Sequence, residues 1–130
     1  MVMSRYVRDD SSVPKSTREL VILAVAAALE NDYELAQHLA VARSIGISAE
    51  KVAQAMDGQP GSQILTAAEA AAVKYAQVLA VNERPEADIV DELGRQFDVP
   101  TIVDITLTIG WYRLCDALTR GLEINPEGTA

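Results

Sequence analysis

Apolar residues recur at helical spacing along most of this chain, broken by short polar segments that read as helix ends. Leu20, Leu23, Ala24 and Ala27 predict a first helix from about Thr17 to Leu29. Ser16-Thr-Arg-Glu19 just before it has the form of a capping box, in which a hydroxyl and a carboxylate satisfy the free N–H groups of a helix start. A second helix is predicted from about Asp32 to Ile45, with Asn31 or Asp32 as its cap and Gly46 just past its end. Ser48 opens a short third helix to about Met56, and the segment Asp57-Gly-Gln-Pro-Gly61-Ser62 is the clearest loop. Thr66-Ala-Ala-Glu69 is another capping box and starts a helix to about Val81. Pro85 suits the first position of a helix to about Phe97, and Pro100 that of a last helix to about Arg120, stopped by Gly121.

The last helix carries Ile102, Val103, Ile105, Leu107, Ile109, Trp111, Leu114 and Leu118 on most of its sides. A helix apolar all round belongs in an interior, and this one has more apolar face than a monomer of 130 residues covers. An interface between copies is therefore expected, with Gly110 allowing close helix approach. Asp104, Arg113 and Asp116 on this helix are expected as buried polar groups paired between helices or subunits, since unpaired burial is costly. Trp111 and Tyr112 read first as packing. No segment reads better as a strand than as a helix. The expected fold is all-α, with about six helices in a single domain over 16–125, an N-terminal arm or tail over 1–15, and a short tail over 126–130.

Composition narrows the function. Hydrophobic residues make up 49% of the chain, but 20 are alanine and only six are aromatic, which suits close-packed helices better than a β-sandwich. A net charge of −8 and an isoelectric point near 4.5, with no basic stripe, argue against nucleic acid as a partner. Cys115 is the single cysteine, so there is no internal disulfide and no multi-cysteine zinc site. That fits a reducing, cytoplasmic setting. The first ten residues hold no apolar signal core, and the longest uncharged apolar run, Leu20 to Leu29, is half of what a bilayer needs. A soluble protein with no membrane partner is expected.

The chemistry concentrates in Tyr33-Glu34-x-x-x-His38-x-x-x-Ala42-x-x-x-Gly46. His38 is the only histidine, and Glu34 precedes it by four residues, one helical turn, so the two share a face. A carboxylate there would fix the ring tautomer and favour the imidazolium. Glu19 could supply a second carboxylate from the first helix. Each residue also has a plainer reading. Glu19 and Glu34 both stand where a capping-box glutamate stands, and a single histidine is commonly just satisfied by a neighbour.

The stretch Arg18-Glu19-Leu-Val-Ile-Leu-Ala-Val-Ala, the Tyr33-Glu34…His38…Ala42-Arg43-x-x-Gly46-x-Ser48 pattern and the segment Ile102 to Arg113 together resemble the carboxymuconolactone decarboxylase family, within the alkylhydroperoxidase D-like superfamily, over about residues 15 to 125. The resemblance implies an alkylhydroperoxidase D-like helical fold and assembly into a homo-oligomer, trimeric or hexameric, with a dimer as a further option. In the peroxidase branch the motif is Cys-x-x-Cys-x-x-x-His with a glutamate twelve residues upstream. On this chain the histidine falls on His38, the glutamate on Glu19, and the two cysteines on Asn31 and Glu34. A dithiol cycle needs a thiolate and a resolving thiol, so it is not expected here. The Tyr-Glu-x-x-x-His form resembles the cysteine-free branch, whose decarboxylase delivers a proton without a cofactor.

Three readings follow. In the first, the protein does cofactor-free acid–base chemistry on a small organic acid, lactone or carbonyl compound. His38 transfers the proton, Glu34 orients it, Glu19 is a relay carboxylate, and Tyr33 or Trp111 lines the pocket. In the second, Glu19, Glu34 and His38 hold a divalent metal, though the resemblance suggests none. In the third, the protein is a non-redox binding or oligomeric module.

Overall fold

The computed structural model describes residues 2–57, 63–81 and 83–123. Among them are seven α-helices, one π-helical turn and no strand, so the chain is all-α. Most of the loop expected over 57–63, and the tail expected over 126–130, lie outside the described residues. A short helix α1 (Val2–Arg5) runs into the π-helical turn (Tyr6–Asp10), followed by α2 (Lys15–Ala28), α3 (Asp32–Ser44), α4 (Ala49–Met56), α5 (Ala67–Ala80), α6 (Ala87–Gln96) and α7 (Val99–Gly121).

Helix α2 is the centre of the domain and packs against α3, α4, α5 and α7. Every residue from Leu20 to Ala26 is buried. Fully burying one Leu, Val or Ile side chain contributes about 1.5–3 kcal/mol, and Leu20, Val21, Ile22 and Leu23 do so in succession. Ala72 and Ala76 of α5 are also fully buried in that core; their small side chains let helices approach closely.

Local capping explains most boundaries. The side chains of Asn31, Ser48 and Thr66 accept the backbone N–H groups of Glu34, Lys51 and Glu69, and Glu69 returns the bond to the Thr66 backbone. Gly46 ends α3 at φ +82°, its N–H and that of Ile47 reaching back to the carbonyls of Arg43 and Ala42. Helix α2 ends in the same motif with Glu30 at φ 55°, where a glycine would be unstrained. That tight exit starts α3 two residues later and lays it back along α2.

Three expectations at helix starts change. Helix α2 begins at Lys15 with Pro14 as an uncapped start, so Ser16 and Glu19 do not form a box. Pro85 precedes Glu86, the N-cap of α6, and α7 is capped by Asp98, with Pro100 at its second position rather than its first. The residues expected as an arm are helical over 2–10 and dock on the domain, with Val7 1% and Val13 4% exposed.

Helix α7 is not buried all round in one chain. Ile105 and Ile109 are buried, while Val103, Leu114 and Leu118 are 46–50% exposed. Arg113, expected to be buried, is exposed. Gly110 faces open space, with no heavy atom within 4 Å of where a Cβ would stand, so it admits no neighbouring helix of its own chain. Among the described residues no helix is long and apolar enough to cross a membrane.

Candidate functional site

Helices α2 and α3 run side by side, and their facing sides bring Glu19, Glu34 and His38 together. Glu19 lies in the second turn of α2 and is 3% exposed. Asn31, Glu34, His38 and Ala42 lie along one face of α3 at three- to four-residue steps, the spacing of a helix face. The imidazole sits between the two carboxylates. Nδ1 of His38 is 2.7 Å from Glu19 Oε1, and Nε2 is 3.3 Å from Glu34 Oε2. Neither glutamate caps its own helix through its side chain. The Glu34 backbone N–H is bound by Asn31 Oδ1 at 2.9 Å, while the Asn31 N–H goes to Ala26, leaving the Glu34 carboxylate for the ring.

Burial alone would push the imidazole down, because desolvation disfavours its charged form. The hydrogen bonds and charges of Glu19 and Glu34 outweigh that and carry it up to about 9. At neutral pH the ring is therefore an imidazolium, and both its N–H groups point at carboxylates. Arg18, with its side chain 10% exposed, places Nε 3.6 Å from Glu19 Oε2. Two cations thus face two anions, which limits the cost of keeping four charges out of water.

Helix α7 closes the site. Tyr112 stands edge-on to the His38 ring, centroids 5.0 Å apart and planes at 89°. Its phenol is pushed upward by burial and by the charges of Glu19 and Glu34, so it stays protonated. One helical turn on, Asp116 Oδ1 accepts from Asn31 Nδ2 at 2.9 Å, and Thr119 Oγ1 accepts from the same amide at 2.8 Å. Asn31 is therefore fully used, capping α3 with its oxygen and tying α3 to α7 with its nitrogen. Arg120 pairs with Asp116 and donates to the Leu29 carbonyl. Cys115 is half-buried, and its thiol is pushed up to about 11, by burial first and then by the charge of Glu34. A thiol at that value is not a neutral-pH nucleophile.

Tyr33 and Trp111 are half-buried, and neither hydrogen-bonds to nor stacks on the triad among the described residues. Tyr112 is the aromatic that stands against the His38 ring. Sequence reasoning gave Tyr112 only a packing role and did not pair Arg18 with Glu19. A signal was available: Asp104, Thr108, Tyr112 and Asp116 form a polar stripe at four-residue steps down the otherwise apolar α7. Beside the triad, Val25, Ala26, Leu29, Asn31, Glu34, Tyr112 and Asp116 line a crevice too narrow to admit a water molecule. No three His, Cys, Asp or Glu side chains among the described residues are arranged to hold a metal ion.

The chain belongs to the carboxymuconolactone decarboxylase family, which it matches over residues 3–78, more than half its length. Two solved structures show the same fold. One is a protein of unknown function from Agrobacterium tumefaciens, described as a candidate antioxidant defence protein AhpD. It aligns with a TM-score of 0.86 at 19% identity, over 95% of this chain and 84% of that one. The other is the debrominase Bmp8 in a cysteine-to-alanine form bound to 2,3,4-tribromopyrrole, with a TM-score of 0.83 at 15% identity over 94% of this chain. This chain spans 65% of the debrominase. At these identities the likeness concerns the fold. No curated protein matches the chain.

Proposed function

We propose that this protein transfers a proton, without a cofactor, to or from a small organic acid, lactone or carbonyl compound, with His38 as the proton carrier. The observation that carries this reading is the single imidazole held between two buried carboxylates and kept protonated at neutral pH. An imidazolium in that setting starts the reaction as an acid. On this reading the distances favour Glu19 over Glu34 as the group that orients the ring. Glu19, at 2.7 Å, fixes the ring, and Glu34, at 3.3 Å, holds Nε2 more loosely. A substrate oxygen that displaced Glu34 would receive the Nε2 proton. On this reading Tyr33 and Trp111, both half-buried, remain the aromatics proposed to line the substrate's place. In a screen of small acids and lactones, His38→Gln is expected to lower turnover of any accepted substrate by about 10²–10⁴-fold, the usual contribution of a positioned acid. Full turnover in that variant sinks the assignment.

A second reading rests on the closed crevice. A ligand site of ordinary size needs about 300 Å³ or more, and the crevice beside the triad has no room for even one water molecule. On this reading the triad is a brace in a non-redox module, and His38→Gln changes stability alone.

We infer further that the chain forms a homo-oligomer, trimeric or hexameric with a dimer as a further option, through the open side of α7. Val103, Leu114 and Leu118 are exposed there, and Gly110 lies among them with no reason for its small size inside one chain. Gly110→Ala is expected to shift the mass seen by light scattering toward smaller species. If the mass stays constant and stability rises by about 1 kcal/mol, as helix propensity alone dictates, the interface lies elsewhere.

A further inference from the structure

Arg18 connects the triad to the start of the chain. Its Nη1 donates to the carbonyls of Val7, at 3.3 Å, and Arg8, at 2.5 Å. Both belong to the π-helical turn, and carbonyls at a helix end have no partner within the helix. The turn is anchored to α7 by Asp104, whose carboxylate accepts from the Tyr6 hydroxyl at 2.6 Å, the Ser12 N–H at 2.8 Å and the Ser12 hydroxyl at 2.6 Å.

The arginine stops short of Glu19. Its Nε is 3.6 Å from Oε2, outside hydrogen-bond range, although both side chains are buried. Guanidinium and carboxylate frequently pair through two parallel N–H bonds, an arrangement absent here. Arg18 Nη1 is taken by the Val7 and Arg8 carbonyls, and Glu19 Oε1 is paired with His38. We propose that the N-terminal segment restrains Arg18, so that Glu19 stays paired with His38, and that releasing the segment lets Arg18 capture Glu19 and disconnects the imidazole. Arg18 is then a positioning residue whose pull on Glu19 is set by residues 2–12. The other groups facing His38 are Glu34 from α3 and Tyr112 from α7, with Cys115 and Asp116 further along α7. Among the described residues none of them is seen hydrogen-bonded to Tyr6, Val7, Arg8 or Ser12, so release of the segment acts on the ring through Arg18 and Glu19.

The single histidine makes the test direct, because its ring signals can be followed by NMR in the full chain without ambiguity. The readout is the imidazole itself, so this inference stands or falls separately from any catalytic role. Tyr6→Phe with Ser12→Ala loosens the anchor without changing a charge. The His38 titration midpoint is expected to fall from about 9 by about one pH unit, a tenfold loss of proton affinity, with Glu34 still in place. Adding Arg18→Met removes the competitor and is expected to restore the midpoint. An unmoved midpoint in the Tyr6→Phe/Ser12→Ala variant overturns the proposal, and so does a fall that Arg18→Met leaves in place. A purely structural anchor would lower the melting temperature in both variants with no recovery of the titration. If the double replacement does not fold, Tyr6→Phe alone, with and without Arg18→Met, gives the same contrast at smaller amplitude.

Discussion

Raising the pH from 6.5 to beyond 9 is expected to cost the fold about 3 kcal/mol, and His38→Gln should abolish that loss. The imidazole moves from an ordinary 6.5 to about 9 on folding, against the opposing effect of burial, because Glu19 and Glu34 hold its charged form. At about 1.4 kcal/mol for each tenfold change in proton affinity, that rise is worth about 3 kcal/mol. The sign follows from the direction. A group raised on folding binds its proton more tightly in the native state. Its contribution is fully present below 6.5, fades as the unfolded chain loses its proton above that value, and is gone once the pH has passed through about 9. Denaturant melts at pH 6, 7.5 and 9.5 measure it. A domain of this size has about 5–15 kcal/mol of stability in all, so the drop is easily resolved. A parent protein with the same stability at all three values would mean that the ring is not held by the two carboxylates.

The same geometry sets a limit on the chemistry. A proton bound at about 9 is given up slowly at neutral pH, so a donor role is best served when a substrate loosens one carboxylate. Glu34, with the longer contact and 11% side-chain exposure, is the partner that can yield; Glu19, at 4%, is not. A substrate that brings its own negative charge to Nε2 would replace Glu34 without leaving the imidazolium unpaired. On the proposed proton-transfer reading, an anionic substrate therefore suits this site better than a neutral one.

What the sequence revealed follows the range of each interaction. The caps at Asn31, Ser48 and Thr66 and the glycine exit at Gly46 act within three or four residues, and their local pattern was enough. The spacing of Glu34 and His38 on one face was legible for the same reason. Ser16-x-x-Glu19 misled because Glu19 is bonded to His38, nineteen residues away on another helix, and a tertiary partner outweighs a local cap. The N-terminal residues read as an arm because they are polar. They are ordered by partners far along the chain, with Tyr6 bonded to Asp104, 98 residues away. The apolar periodicity of α7 was correct as to helix and incomplete as to burial. Periodicity shows which residues shun water but not whether their own chain covers them.

Asp104→Ala is expected to destabilise the fold by about 3 kcal/mol and to free the N-terminal segment. Asp104 is 6% exposed and accepts all three of the hydrogen bonds that tie Tyr6 and Ser12 to α7. Bonds to a charged acceptor are worth about 1.5–3 kcal/mol each, less than their sum when they share one group. Burial works against the charge, but the donors from Ser12 and Tyr6 win, and the carboxyl lies below its ordinary value of 3.8. The anchor is therefore fully formed above that pH and weakens only as acid protonates it, so neutral-pH melts read its whole effect. Losing it also loosens Val7 and Val13, which are buried only while the segment lies on the domain. Asp104→Asn keeps the shape and one acceptor oxygen, and should cost about half as much. Limited digestion with trypsin gives an independent reading, since Arg5 and Arg8 sit in the anchored segment and cleavage there should accelerate in Asp104→Ala before the rest of the chain yields. If Asp104→Ala melts within about 0.5 kcal/mol of the parent and digests at the same rate, the segment is held by Val7 and the Arg18 guanidinium instead.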